Sequence, residues 1–375
     1  MNEFQLSDCC SVITDGDHAA PPKAMEGIPF ITIRNFDGNN INFTNTMYVP
    51  EGYYDKLKSS RKAQKNDILY SVVGSFGIPI IIKDNQKFVF QRHIALLRPN
   101  LKKVVPSYLF HLMRSSSFYA LADVLAVGSA QRTISLSALR KVKITLPSLE
   151  IQAKTGKILS IYDELIEVNH HRIAILEEMA TRTYREWFVH FRFPSHESCE
   201  FENGIPKGWK YCSVTDILDI RYGKDHKDIE YGDFPIYGSG GIMRKGNRSI
   251  YKGKSVLIPR KGTLNNIMLV EGSFWCIDTM FYSIPKIRNI ENLVYFQLSR
   301  YDMDALNSGT ALPSMTTKIL SGIKVVVPTS DIRIKFDNFV DPIFTQISIL
   351  RSSNYQLQQM RDRLLPQLMS GQLEI

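Results

Sequence analysis

The sequence predicts a mixed α/β protein of the α+β type, in which two long antiparallel helices forming a coiled coil separate two β-rich blocks. Three observations lead to this prediction. A strand-like segment ending near a proline occurs twice, as VKITLPSLE and as IKVVVPTSD. One constant offset aligns both copies, and each copy is followed by a long stretch with helical periodicity. The two halves are therefore predicted to form an internal repeat with pseudo-two-fold symmetry.

The repeat is defined by its register. Aligning Pro147 with Pro328 gives an offset of 328 − 147 = 181 residues, and this offset holds without gaps. It aligns Gly128 with Gly309, Leu139 with Leu320, Ile151 with Ile332, Ile166 with Ile347, Leu176 with Leu357, Met179 with Met360 and Arg182 with Arg363. The period is much longer than the ~20 to 50 residues of a stacked solenoid, so duplication of a whole domain is the better account.

The blocks before each proline contain short strand-like runs separated by Gly, Asn and Pro, as expected for twisted sheets. The predicted strands are Ile28–Arg34, Asp67–Val73, Pro79–Lys83, Lys87–Phe90, Val256–Pro259 and Ile267–Val270. One helix is predicted in each block, near Ser107–Leu125 and near Asn292–Leu306.

After each proline, apolar residues recur at a spacing of three and four for about four heptads, which is typical of a coiled coil. The first stripe consists of Ile158, Ile161, Leu165, Val168, Ile175 and Met179, with Arg172 as a polar member. The second consists of Val340, Ile343, Ile347, Leu350, Leu357, Leu364 and Leu368, interrupted by Asn354 and Arg361. A single helix of this kind would usually pack on its own domain, whereas two at equivalent repeat positions favour pairing with each other. Asn354 would then help to fix the register.

Composition narrows the class of partner. The formal net charge is +9, which favours a polyanionic partner such as nucleic acid, although many basic proteins bind none. No stretch of about 18 apolar residues occurs, so we expect a cytoplasmic protein without a membrane partner. The five cysteines have no metal-type spacing and are expected to be reduced thiols.

Sequence motifs give no support for catalysis. Gly253-Lys254-Ser255 resembles the end of a phosphate loop, but Arg248 stands where its first glycine should be. The segment from Tyr237 resembles a nucleophile elbow without its first glycine. His170-His171 point to different helix faces, so a solvated surface is a better interpretation than a metal site. We therefore predict no catalytic, cofactor-binding or metal-binding residue in this chain.

Arg, Asn and Gln at loops can bond to base edges, while Lys, Ser and Thr mostly hold phosphates. In the first block the candidate DNA-binding residues are Arg34, Asn35, Ser75, Arg92, His93, Gln131, Arg132 and Thr133. In the second they are Tyr237, Ser239, Arg260, Lys261, Thr263, Asn265, Asn266 and Ser314. The loops Gly128-Ser-Ala-Gln-Arg-Thr and Arg260-Lys-Gly-Thr are the strongest candidates, since for any single residue an ordinary surface role is more common.

Several motifs together resemble the specificity subunit of type I restriction-modification systems. They are the exits ITLPSLEIQ and VVVPTSDIR, the IPKGWK opening of the second block, FPIYGSGGI, and the terminal LLPQLMSGQLEI. The resemblance covers essentially the whole chain. The first block departs from it because it begins almost at once, without an IPKGWK-type opening.

This resemblance implies a target recognition domain at 1–147, a spacer helix with linker at 148–193, a second recognition domain at 194–328 and a second spacer helix at 329–375. Each recognition domain would read one half of a bipartite DNA sequence, and the helices would set the gap. The chain would be non-catalytic. Its partners would be double-stranded DNA, two methyltransferase subunits and restriction/translocase subunits, and S-adenosylmethionine, ATP and Mg²⁺ would bind to those subunits.

Two alternatives stay open at this point. In one, the chain is the specificity part of a system whose methyltransferase and nuclease are fused in one polypeptide. In the other, it is a two-domain scaffold or a general DNA-binding protein without sequence specificity, since phosphate contacts alone give sequence-blind affinity.

Overall fold

The computed structural model describes residues 2–74, 76–129, 131–306 and 314–373. They form two compact units. Unit 1 comprises Met1–Asn169 together with Ser352–Ile375, and unit 2 comprises His170–Arg351. Each unit therefore contains one block, the first part of one long helix and the last part of the other. The domain boundaries predicted above follow the order of segments along the chain, and they stay a prediction.

The first half of the chain alternates short strands with short helices before one long helix. Its elements are β1 (Asn2–Gln5), α1 (Leu6–Cys9), β2 (Cys10–Asp15), β3 (Ile28–Ile31), β4 (Phe36–Asp37), β5 (Asn40–Ile41), β6 (Met47–Val49), α2 (Glu51–Asp55), β7 (Ile68–Ser71), β8 (Pro79–Ile81), β9 (Val89–Phe90), β10 (Ile94–Pro99), α3 (Pro106–Arg114), α4 (Ser116–Val124), α5 (Leu136–Arg140), β11 (Lys143–Leu146) and α6 (Leu149–Phe188).

The second half follows the same plan. Its elements are β12 (Phe201–Glu202), β13 (Ile205–Pro206), β14 (Lys210–Ser213), α7 (Val214–Ile217), β15 (Leu218–Tyr222), β16 (Phe234–Gly238), β17 (Gly241–Gly246), β18 (Tyr251–Lys252), β19 (Ser255–Pro259), β20 (Met268–Val270), β21 (Ser273–Cys276), β22 (Met280–Pro285), α8 (Glu291–Leu298), α9 (Thr317–Gly322), β23 (Lys324–Val327) and α10 (Ser330–Ser370).

The central sheets of the two units share one topology, to which unit 2 adds β18 beside β21. Unit 1 has an antiparallel sheet in the order β2-β10-β7-β8, and unit 2 has one in the order β15-β22-β19-β20. In unit 1, β3 lies between antiparallel β6 and parallel β9. In unit 2, β16 lies between antiparallel β17 and parallel β21. The pairs β1–β11 and β14–β23 also correspond, so the structure confirms the internal repeat.

In each unit, one glycine is required where two sheets meet. A Cβ at Gly16 would lie 1.9 Å from the Phe90 carbonyl oxygen, and one at Gly223 would lie 2.0 Å from the Ile277 carbonyl oxygen. No side chain fits at either distance. The same close backbone approach is therefore built twice.

The exit from each block is also repeated in detail. β11 and β23 are related by the 181-residue shift, as are the first residues of α6 and α10. Gln152 Nε2 donates to the Pro147 carbonyl at 2.9 Å, and Arg333 Nη1 donates to the Pro328 carbonyl at 2.8 Å. Different side chains thus donate to the equivalent proline carbonyl in each half, at the point where the strand ends and the helix begins.

The long helices pair in antiparallel orientation within each unit. In unit 1, Asp163 of α6 contacts Arg361 and Asn169 contacts Asn354, so numbers rise along one helix as they fall along the other. In unit 2, the Phe188 ring packs edge-on against Phe336 at 4.8 Å. This confirms the predicted pairing of α6 with α10.

The stripe predicted for α10 is confirmed, but the stripe predicted for α6 is wrong. Val340, Ile343, Ile347, Leu350 and Leu368 are buried, and Leu357 and Leu364 are half-buried. On α6, by contrast, the predicted stripe is the exposed face, with Ile161 44%, Leu165 46%, Val168 52%, Ile175 67% and Met179 44% exposed. The buried face consists of Gln152, Thr155, Leu159, Ile166, Asn169, Ile173, Ala180, Tyr184 and Phe188. Its polar and small members conceal it from a search for apolar periodicity.

Both predicted block helices need correction. Ser115 breaks the helix predicted over Ser107–Leu125 into α3 and α4, because its backbone is extended and its hydroxyl caps α4 by accepting from the Phe118 N–H. The helix predicted to reach Leu306 ends at Leu298. There Asp302 accepts from the Asp304 and Ala305 N–H groups and holds a turn instead.

Two further expectations can be compared with the structure. All five cysteines are free. Among the described helices, none has a stretch long and apolar enough to cross a lipid bilayer.

Candidate nucleic-acid interface

Four separate loops of unit 1 line one cleft of about 460 Å³. The loop after β3 contributes Arg34, and the segment after β9 contributes Gln91 and His93. Gly74 follows β7, and Gln131 precedes α5. Arg34, His93 and Gln131, three of the predicted residues, lie far apart in the chain, and the fold brings them together.

Backbone hydrogen bonds hold these loops in place. The Gln91 N–H donates to the Ile31 carbonyl at 3.0 Å, which ties the segment after β9 to β3. The Val72 N–H donates to the His93 carbonyl at 2.9 Å, and the Gly74 N–H donates to the Arg132 carbonyl at 3.2 Å. The cleft therefore belongs to the sheet framework.

The polar side chains of the cleft are free to bind another molecule. Within the described parts of the chain, Arg34, Gln91, His93 and Gln131 have no side-chain hydrogen bond or ion pair. Arg34 and Gln131 are exposed, and Gln91 and His93 are half-buried. Two amides, a guanidinium and an imidazole thus face one space with their donors and acceptors unused.

Two other candidates in unit 1, Asn35 and Arg132, have side-chain partners within the chain. The Asn35 side chain accepts from the Thr32 N–H at 2.8 Å and donates to the Asn42 carbonyl at 3.1 Å, so it holds its own loop. Arg132 donates through Nε to Asp123 Oδ1 at 2.8 Å. Thr133 forms an isolated bridge with Val127, Arg92 is exposed, and Ser75 lies outside the described residues.

In unit 2, Arg260 is the candidate with the most defined setting. Its guanidinium carbon lies 5.2 Å from the centre of the Tyr222 ring, and its Nη1 donates to the Asp278 carbonyl at 3.2 Å. Tyr222, which precedes Gly223 at the end of β15, is not among the predicted residues. An aromatic ring under a guanidinium orients the cation while leaving most of its N–H donors available.

Loops around Arg260 contain the remaining candidates of unit 2. Asn266 donates to the Ser239 carbonyl at 2.8 Å, which joins the loop after β19 to the turn between β16 and β17. Lys261 and Thr263 are exposed, and Ser314 is half-buried. Asn265 donates to Asp304 Oδ2 at 2.8 Å and accepts from the Met303 N–H at 2.7 Å, so its side chain is occupied.

Tyr237 packs into the core of unit 2. Its ring meets Phe274 edge-on at 6.1 Å, and burial raises the pKa of its hydroxyl above the ordinary value. Tyr237 and the turn at Ser239 belong to the segment that resembles a nucleophile elbow without its first glycine. The Lys254 of the apparent phosphate loop forms an ion pair with Asp341, which leaves that loop without a free cation.

A larger cleft of about 750 Å³ lies elsewhere in unit 1, between α4, β11 and the end of α10. Its three cations are already paired, Arg114 and Arg361 with Asp163 and Lys143 with Glu3. It therefore offers less to an anionic ligand than its size suggests. The described residues also contain no group of three or more His, Cys, Asp or Glu suited to a metal ion.

The family model described as type I restriction modification DNA specificity domain matches residues 1–178 and again residues 206–359. The chain belongs to this family. Two matches in one chain agree with the two units and with the repeated sheet topology.

Two curated relatives are also described as type I specificity subunits, and this chain matches most of the length of each. The type I restriction enzyme MjaIX specificity subunit of Methanocaldococcus jannaschii is 25% identical over 72% of this chain and 70% of its own. The putative MjaX specificity subunit of the same organism is 23% identical over 99% of this chain and 93% of its own.

One solved structure has the same fold. The type I restriction-modification S subunit from M. genitalium superposes with a TM-score of 0.65 at 19% identity, covering 98% of this chain and 95% of that one. The present chain is thus a DNA-recognition subunit of a type I restriction-modification complex. Specificity subunits are non-catalytic, and the catalytic activities lie in partner subunits.

Proposed function

We propose that this specificity subunit reads a bipartite double-stranded DNA target, with one half-site bound by each unit. The observation that supports this most directly is the unit 1 cleft, where four uncommitted polar side chains from three separate loops converge. A scaffold without sequence specificity would not need hydrogen-bond donors and acceptors directed into a common space. Readout of base edges does need them.

Glutamine amides pair bidentately with adenine, and arginine pairs with guanine. Gln91 and Gln131 are therefore assigned to base contact in unit 1, with Arg34 at the exposed edge and His93 beside them. Asn35 and Arg132 are assigned to holding the loops, because their side chains are occupied within the chain.

In unit 2, Arg260 is assigned to base contact and the exposed Lys261 beside it to phosphate. A guanidinium pre-positioned over Tyr222 loses less conformational freedom on binding than a mobile one, which favours its use in recognition. Asn265 is assigned to the loop framework.

The exposed apolar face of α6 supports a docking role. Within unit 1, Ile161, Leu165 and Val168 lie at helical spacing and are about half exposed. Such a continuous apolar surface is unusual in a protein that acts alone, because it remains in contact with water. We assign it to a methyltransferase subunit, two of which would join the complex together with restriction/translocase subunits.

Replacing Ile161 and Leu165 by Glu tests this assignment. Both side chains are exposed, so the fold should persist, and the variant should lose methyltransferase during co-purification. Lys154→Glu on the same helix, where the residue is 51% exposed, is the matched control and should retain it. Unchanged co-purification by the double variant would contradict the docking role.

S-adenosylmethionine, ATP and Mg²⁺ would act on the partner subunits, and this chain would contribute DNA recognition in the cytoplasm. Its own residues would orient the DNA without making or breaking a bond.

Reconstitution tests the proposed function. The purified chain should not methylate DNA alone but should direct a methyltransferase partner to one bipartite sequence, as determined by sequencing of methylated bases. Methylation by the chain alone would contradict a non-catalytic role. Equal, salt-sensitive binding to all DNA sequences would support a general DNA-binding protein instead.

A further inference from the structure

The helix pair of unit 1 contains a buried amide contact. Asn169 Nδ2 donates to Asn354 Oδ1 at 2.8 Å, and Asn354 Nδ2 lies 3.4 Å from the Ile166 carbonyl oxygen. The two residues are only 9% and 5% exposed. Each amide therefore depends on the opposite helix for its hydrogen bonds.

A charged contact lies two turns away in the same unit. Asp163 of α6 accepts from Arg361 of α10 at 2.6 Å and from Arg114 of α3 at 2.7 Å. The three side chains are between 11% and 17% exposed. Arg361 again comes from the helix opposite Asp163.

The equivalent positions of unit 2 are apolar. The 181-residue shift maps Asn169 onto Leu350 and maps Ile173 onto Asn354. Leu350 and Ile173 are buried in the core of unit 2, at 4% and 7% exposure. The same shift maps Asp163 onto Phe344 and maps Ala180 onto Arg361.

This difference between the two units determines which side chains would meet if two copies of the same helix paired. In a pair of two α6 helices, Asn169 would face Ile173 and Asp163 would face Ala180. In a pair of two α10 helices, Asn354 would face Leu350 and Arg361 would face Phe344. Either arrangement leaves a buried asparagine amide facing an apolar side chain and removes the ion pair between Asp163 and Arg361, which is strongly unfavourable. Only α6 with α10 satisfies both sets.

We propose that the polar residues of unit 1 make α6 specific for α10, so that α6 rejects a second copy of itself and α10 does the same. Pairing between copies of this chain through like helices is thereby excluded, and α6 pairs with α10. The proposal concerns helix pairing alone and holds whichever residues contact DNA.

Substitutions in the intact chain recreate each mismatch. Asn354→Ile places an isoleucine opposite Asn169, as in a pair of α6 helices. Asn169→Leu places a leucine opposite Asn354, as in a pair of α10 helices. Each single variant should lower the folding equilibrium constant by roughly tenfold or more, measured by denaturant unfolding followed by circular dichroism.

The double variant separates mismatch from packing. Asn169→Leu combined with Asn354→Ile gives unit 1 the residues of unit 2, and its stability should return to within about threefold of the wild-type constant. Transplanting the amides into unit 2, as Leu350→Asn with Ile173→Asn, should likewise cost less than the two single changes together. Single variants as stable as the wild type, or a double variant losing the product of both single effects, would overturn the proposal.

Discussion

The contact between the block helix and the long helices is built from charge in unit 1 and from aromatic rings in unit 2. In unit 1, His111 and Arg114 of α3 approach Asp163, with His111 Nδ1 4.0 Å and Arg114 Nη1 2.7 Å from its carboxylate. In unit 2, Phe296 holds the position of His111 counted from the start of its helix. It stacks on Tyr184 at 5.2 Å and packs against Phe344 at 5.9 Å.

The comparison shows which features a duplicated fold must keep. Both units retain the glycines at the close sheet approach, the capped helix before the exit strand, and the satisfied proline carbonyl. They do not retain the chemistry of the helix contact. Backbone geometry leaves little choice at the first set of positions, whereas a buried space can be filled by paired charges or by rings.

The largest expected effect is on stability, when the Asp163 carboxylate of unit 1 is removed. Asp163→Ala would leave Arg114 without a carboxylate and Arg361 with only the exposed Asp362, at a cost of about 3–5 kcal/mol in the free energy of unfolding. Denaturant unfolding followed by circular dichroism measures it. Asp362→Ala is the control, since Asp362 pairs with the same Arg361 but is 57% exposed and should cost less than about 1 kcal/mol. Similar costs for both would contradict the distinction.

His111 should make the stability of unit 1 depend on pH. Burial, which the Asp163 carboxylate opposes and the nearby Arg114 and Arg361 guanidinium groups reinforce, lowers the pKa of His111 to about 4. Because the folded protein resists the proton that the unfolded chain accepts, this stability is complete above about pH 6.5 and is lost as the pH falls towards 4.

Between about pH 6.5 and 4, the decrease in the free energy of unfolding attributable to His111 should approach about 3 kcal/mol. His111→Phe, which copies Phe296 of unit 2, should remove it, and unfolding curves of the two proteins between pH 7 and 4 make the comparison. Parallel pH dependence of wild type and variant would exclude His111 as the cause.

The smallest expected effect concerns a feature that both units share. Ser135 accepts from the Ala138 N–H at the start of α5, and Thr316 accepts from the Ile319 N–H at the start of α9. Replacing either by Ala should cost about 1 kcal/mol. Thermal unfolding of the two variants should give similar losses, and a large loss for only one would show that the caps have different roles.

The repeat and the α10 stripe could be predicted from sequence because both depend on position. Pro147 and Pro328 fixed the register, and the leucines and isoleucines of α10 marked its buried face. The α6 face could not be found in this way. Asn169 and Gln152 are buried through hydrogen bonds that only the folded chain supplies, while Leu165 and Val168 are apolar yet exposed.

The candidate site shows the same limit. Residue type alone could not separate Gln131, which is free in the cleft, from the adjacent Arg132, which is bound to Asp123. Nor could it join Arg34 to Gln131, because nearly a hundred residues separate them and only the sheet order brings their loops together. Loops could be predicted as a group, whereas the roles of individual members required the structure.

The central claim is that each unit reads its own half-site. It is tested by sequencing methylated bases in DNA from cells carrying the complete system with Gln91→Ala plus Gln131→Ala, or with Arg260→Ala. Gln86→Ala, an exposed glutamine outside the cleft, is the control and should leave the motif unchanged. The account predicts that the double variant relaxes one half-site and Arg260→Ala the other. Equal relaxation of both halves by either variant would contradict it.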